Sequence, residues 1–96
     1  MFIVAKHEAN GKKILTICDK DIIGKKYEEG NLQLDLACNF YKGEEMELEE
    51  VVKLLDYFGS IHFAGENSVK LGIKKGFVEN IIKIKGIPHS QSINLS

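Results

Sequence analysis

The apolar residues of this chain change their period near its middle. Leu32, Leu34, Leu36 and Cys38 alternate with Gln33, Asp35 and Ala37, which predicts a strand with one buried face. From Glu47 to Phe58 the spacing becomes helical. Leu48, Val51, Val52, Leu55 and Phe58 form one stripe, and Glu49, Glu50, Lys53 and Asp56 take the other side. A chain of 96 residues that must bury both a sheet face and a helix stripe has few solutions. The economical one is a layer of helices on a layer of sheet.

The remaining elements follow from punctuation. Phe2 to Glu8 and Lys12 to Cys18 read as strands joined by Asn10-Gly11, residues that tolerate the positive φ of a tight hairpin turn. Asp19 reads as the N-cap of one helical turn, Lys20 to Ile23, closed by Gly24. Tyr27 to Asn31 reads as a turn. Ser60 to Ala64 is a short strand, Gly65 turns into a helix over Glu66 to Lys75, and Gly76 closes it. Glu79 to Lys85 and His89 to Leu95 are the last strands. The strand–helix–strand run from Ser60 to Lys85 predicts a right-handed βαβ crossover. The expected architecture is α+β: a single domain over residues 1–96, two-layer, with a mixed sheet of five to six strands and two main helices on one face.

Charge limits the partners. The net charge is −1, so the chain does not advertise itself as a nucleic-acid binder. Its distribution is uneven: +3 over residues 1–27, −7 over 28–56 and +3 over 57–96. All 13 basic residues are lysine. Lysine is a point charge and cannot make arginine's planar two-pronged contact to guanine or phosphate. A bound nucleic acid would therefore be held by its backbone charge. No apolar run, the one through Phe2 to Ala5 included, is long enough to span a bilayer. No basic stretch followed by an apolar core opens the chain, so the expected location is the cytoplasm. Cys18 and Cys38 form no C-x-x-C and read as reduced core residues. Glu44, Glu45, Glu47, Glu49 and Glu50 crowd a helix start, where the macrodipole favours them. They read as a solvated cap, so no metal and no cofactor is expected.

Two places stand out as candidate sites. At "FAGENSVKLG" the helix start could hold an anion on its free N–H groups, but the stretch lacks the second glycine and the lysine of a P-loop. At "GIPHSQS" the chain's one proline stands between Gly86 and His89. Pro88 forces Ile87 into extended geometry, and Gly86 allows a sharp bend. The Ile87–Pro88 bond is open between cis and trans. His89 and Gln91 would point to one face of the final strand, Ser90 and Ser92 to the other. His7 reads as exposed, and His62, between Ile61 and Phe63, should face away from the core.

"IIGKKYEEGNLQLDL", "FYKGE", "GENSVKLG" followed by "GF", and above all "GIPHSQ" resemble an archaeal family known as domain of unknown function 424. The resemblance runs from Phe2 to about Ile93. It implies a small α+β protein and no established activity, substrate or cofactor. It places Gly65, Glu66, Gly86, Pro88, His89 and Gln91 in the family pattern. Ser90 stands where that family often has alanine, so no role for its hydroxyl is implied.

Two functional readings follow. The first is a non-catalytic binding module that presents lysines of the first and last thirds, with His89, to an RNA or protein partner in information processing. The second is a small enzyme or ligand-binding protein with its site between the Gly65–Glu66 junction and the Pro88–His89 turn. There Glu66 and His89 would act as acid and base, with Gln91 orienting a substrate. The binding candidates are Glu66, Asn67, His62, His89, Ser90 and Gln91, and self-association through an edge strand is a third possibility. Binding is favoured over catalysis.

Overall fold

The structure, a computed structural model, describes residues 1–78 and 80–93, with the backbone alone for Ile93. Its strands are β1 (Phe2–Ala9), β2 (Lys12–Asp19), β3 (Lys26–Glu29), β4 (Leu32–Asp35), β5 (Glu44–Met46), β6 (Ser60–Ala64), β7 (Ile82–Ile84) and β8 (Ile87–Ile93). The helices are α1 (Leu48–Leu54), extended by a 3₁₀ turn over Leu55–Tyr57, and α2 (Glu66–Lys74). A second 3₁₀ turn covers Lys20–Ile22. Glu79 and the end of the expected last strand, Asn94 and Leu95, lie outside the described residues.

Six strands form one mixed sheet in the order β5-β1-β2-β6-β8-β7, and β3 and β4 form a separate hairpin. The α+β expectation holds. β1 and β2 are antiparallel across the Asn10-Gly11 turn, whose φ values are 53° and 77°. β2 and β6 are parallel. β8 is antiparallel to both β6 and β7. Hence β6 and β7 run the same way, and the β6–α2–β7 unit crosses over β8 between them.

Strand alternation builds a core on each side. On one face Phe2, Val4, Leu15, Ile17, Ile61 and Phe63 pack against Val51, Leu55, Val69 and Leu71 of the helical side. On the other face Cys18 and Ala64 pack with Ile84, and with Ile22, Leu34, Leu36 and Tyr41 from the hairpin and the chain that follows it. The sequence accounts for the helical layer but not for this covering hairpin. Tyr27 to Glu29, expected as turn, is strand β3 paired with β4. The expected strand over 32–38 ends at Asp35, where the Asp35 carboxylate accepts the Ala37 N–H at 2.9 Å and bends the chain. The alternation beyond that point is real burial, since Leu36 is fully covered, but it is achieved by a turn.

The Asp19 assignment is also corrected. Its side chain makes no cap bond to the 3₁₀ turn that follows it. It reaches α2 instead, 48 residues on: Oδ2 accepts the Asn67 N–H at 3.0 Å, and Oδ1 accepts the Ser68 N–H and hydroxyl, both at 2.7 Å. Gly65, at φ 103°, makes the approach possible. A Cβ there would stand 2.4 Å from the Asp19 carboxyl carbon.

Candidate functional site

The turn before Pro88 is Lys85-Gly86, with φ of 54° and 79°, and it joins β7 to β8. Pro88 lies inside β8, and its peptide bond is trans. A proline between two neighbouring strands needs an explanation, because it cannot donate to a ladder. The register supplies one. Pairing of β6 with β8 ends at Ala64–His89, so Pro88 faces the residue just past β6, which is Gly65. The Gly65 N–H donates to the Pro88 carbonyl at 2.8 Å. The Gly65 carbonyl accepts the Val69 N–H of α2 at 3.0 Å instead of bonding back to β8. Proline sits where the partner strand has already turned into a helix and asks for no donor.

The same register sorts the polar side chains of β8. Ser90 pairs with Phe63 on the helical side, while His89 pairs with Ala64 and Gln91 with His62 on the hairpin side. The alternation expected from "PHSQS" is what the fold shows. The Ser90 hydroxyl is buried and donates to the Asn80 carbonyl at 2.6 Å, which ties down the chain entering β7.

On the hairpin side a cleft of about 440 Å³ opens between the sheet and the hairpin. The sheet contributes His62, Ile82, His89, Ser90 and Gln91, with Asn80 just before β7. The hairpin and its following segment contribute Gln33, Leu34, Asp35 and Tyr41. Ile82 at 49% exposure, with Ile81 at 44% and Leu32 at 47%, leaves apolar surface open nearby.

The charge states in this cleft follow from burial. Desolvation first, and then the neighbouring His89 and His7, lower the His62 pKa below the ordinary 6.5. Desolvation alone lowers that of His89. Both rings are therefore neutral at neutral pH. His89 Nδ1 lies 3.2 Å from the Ile82 carbonyl. A carbonyl only accepts, so Nδ1 carries the hydrogen in the neutral ring and Nε2 keeps its lone pair. Burial, aided by the Cys18 and Cys38 thiols, pushes Tyr41 up to about 12, so its phenol stays protonated.

One residue holds the far wall in place. Phe40 stacks on His7 with centroids 4.9 Å apart and planes 9° from parallel, and meets His62 edge-on at 5.0 Å. Its carbonyl accepts the His7 Nε2–H at 2.8 Å and the Thr16 hydroxyl at 3.2 Å. His7, expected to be exposed, is half-buried as part of this clamp. His62 does face away from the helical core, yet it meets a second buried layer instead of solvent. Phe40 also packs edge-on against Tyr41 at 5.3 Å, which links the clamp to the cleft.

The six binding candidates separate. His62, His89 and Gln91 face one cleft, and Ser90, whose side chain lies on the other face of β8, borders it from within the strand. Glu66 and Asn67 open α2 in the helical layer, and neither reaches it. The helix start is closed to an outside anion because the Asp19 carboxylate occupies its N–H groups. The cleft that holds His89 therefore does not include Glu66, its expected acid–base partner. Nor do the lysines gather beside His89: Lys70, Lys74 and Lys75 belong to α2 or its end, across the sheet. The acidic middle block is not set apart either, since β5 pairs with β1 and Glu45 meets Lys20 at 2.6 Å. The residues missed from the sequence are Gln33, Asp35, Tyr41 and Asn80. The period-two pattern does place Gln33 and Asp35 on one face, but not which cavity that face borders. Among the described residues no group of three or more histidine, cysteine or acidic side chains is placed to hold a metal.

Comparison with known proteins agrees with this picture of the fold. The family model for Protein of unknown function (DUF424) matches residues 7–95. The chain belongs to this family. A crystal structure of an uncharacterized conserved protein from Methanopyrus kandleri is similar at a TM-score of 0.77 and 19% identity, covering 99% of this chain and 94% of that one. At that identity the likeness speaks for the fold alone. No curated protein matches the chain. The comparisons thus give the chain's family and support its fold, and what the cleft could bind has to be argued from its own chemistry.

Proposed function

We propose that this protein is a non-catalytic binding module whose cleft takes an unpaired base of a single-stranded RNA. The observation that carries the reading is the lining itself: neutral imidazoles from His62 and His89, the Tyr41 ring, and the amides of Gln33, Asn80 and Gln91 around one cavity. Flat uncharged rings stack on bases, and amides read base edges with both donors and acceptors. His89 Nε2 adds an acceptor of fixed tautomer. Lys85, exposed just after the edge strand that supplies Ile82, provides positive charge for a phosphate backbone, whereas Lys83 pairs with Pro88 and points to the helical side. An RNA partner would place the protein in the cytoplasm.

The geometry supports binding over catalysis. Among the described residues no hydrogen bond joins Asp35, His62 and His89 into a proton relay. One Asp35 oxygen is committed to the Ala37 N–H, and His89 Nδ1 is committed to Ile82. The test is fluorescence anisotropy with short labelled oligoribonucleotides over a salt series. Binding should weaken with salt, and the paired substitution His89→Ala with Gln91→Ala should weaken it about tenfold, in the range of one lost base stack. Absent or salt-insensitive binding, or binding unchanged in the paired variant, overturns the reading.

A further inference from the structure

A second concavity lies on the opposite side of the sheet, between the two helices, and nothing in the proposed function uses it. Its volume is about 460 Å³. Leu48 and Val52, one turn apart on α1, form one wall, and Met1 and Phe2 lie in the floor. Leu48 is 50% exposed and Met1 52%, so apolar surface is left open rather than closed against the core. The other wall is α2 and its end, with Leu71 below and Lys70, Lys74 and Lys75 along the rim. Lys70 and Lys74 are one helical turn apart and therefore stand on the same face. Among the described residues no carboxylate lines this groove.

We infer that this groove is a docking surface for an acidic amphipathic helix of a protein partner. Charge complementarity selects the occupant. The rim carries three like charges, two of them at helical spacing, and a helix with carboxylates at i and i+4 can meet Lys70 and Lys74 together. The apolar stripe of such a helix would cover Leu48, Val52 and Leu71, which line the groove from both helices. The lysine stems add apolar contact while their ammonium groups stay in water. A second copy of this chain fits less well. It would bring the same three lysines to the interface, and the acidic neighbours that helical spacing puts next to the α1 wall, Glu49 and Asp56 on either side of Val52, do not line the groove. This surface is separate from the cleft around His89, so each stands or falls alone.

The probe is a synthetic helical peptide of about sixteen residues, with leucines on one stripe and glutamates flanking it. Its lysine-flanked counterpart is the control. Amide NMR shifts on adding the acidic peptide should cluster at Leu48, Val52, Lys70, Leu71 and Lys74, and the basic peptide should bind at least tenfold more weakly. The double variant K70E/K74E changes exposed positions only, and its thermal melt by circular dichroism should match the parent. In that variant the preference between the two peptides should reverse. Equal binding of both peptides, shifts elsewhere, or a preference unchanged in K70E/K74E overturns the proposal. So does self-association through this groove in sedimentation, or K70E/K74E-sensitive binding of oligoribonucleotides or anionic vesicles without binding of the acidic peptide.

Discussion

Asp19 shows how one side chain can decide what a site is. A helix start offers unpaired N–H groups and a partial positive charge. In this protein that end of α2 is already served by a carboxylate from β2, so a ligand has nothing left to bind. Asp19→Ala should leave three buried or half-buried donors unsatisfied and cost about 2–3 kcal/mol in urea denaturation. Gly65→Ala should cost about as much, because it puts a Cβ on that carboxylate at a backbone angle that disfavours side chains. If either variant is as stable as the parent, the cap is not structural. The local sequence could not reveal this contact. Asp19 followed by Lys20 and Asp21 looks like any helix start, and its true partner is 48 residues away. Cys18 beside it was legible as core. Burial first, then Asp19 and Asp21, push its thiol up to about 12. Mass spectrometry after mild alkylation of the folded protein at pH 8 should therefore find Cys18 unmodified, and rapid labelling there would contradict its burial.

At the level of elements, periodicity was reliable where one element meets one core. The β1–β2 hairpin, β6 and α2 lie close to where the spacing put them. The β8 side chains divide between two faces as their alternation requires. The failures fall where a segment leaves the sheet to cover it. Residues 32–38 keep a strand's alternation although the second half is a turn, because Leu34 and Leu36 serve the same core by different backbone routes. The acidic start of α1 behaves as a cap, with Glu50 returning to accept the Glu47 N–H at 3.4 Å. The covering segment is held by Phe40, clamped between His7 and His62, and neither histidine's spacing announces that contact. Phe40→Ala should cost about 2 kcal/mol, less than a fully buried phenylalanine, and His7→Ala about 1 kcal/mol. Because Phe40 also packs on Tyr41, the first variant should lose ligand affinity along with stability. Affinity equal to the parent's would mean the clamp does not shape the cleft.

Across the whole molecule, the sheet separates two surfaces of different chemistry. The hairpin side carries a cleft of imidazoles and amides with the one carboxylate of Asp35, and the helical side carries the lysine-rimmed groove. The charge blocks seen along the chain do not become two poles, because β5 folds back onto β1. Stability should follow the histidines. His62 and His89 have folded pKa values below 6.5, so above that value neither state of the chain holds the extra proton. As pH falls below it, the unfolded chain gains protons first and the folded state loses ground, until the folded pKa values are passed. Urea midpoints should therefore fall between pH 7 and pH 5, and the fall should be smaller in a His62→Gln, His89→Gln double variant. An identical fall in that variant would mean the two rings are not held neutral by the fold.

The central claim is that the cleft between the sheet and the hairpin is where this protein meets its ligand. Nitrogen-15 NMR of the imidazole rings during titration with a short single-stranded oligoribonucleotide tests it most directly. The account predicts that the Nε2 signal of His89 and the ring signals of His62 shift in step with binding while the His7 signals stay nearly fixed. Saturable binding that leaves the His62 and His89 signals where they were would contradict it.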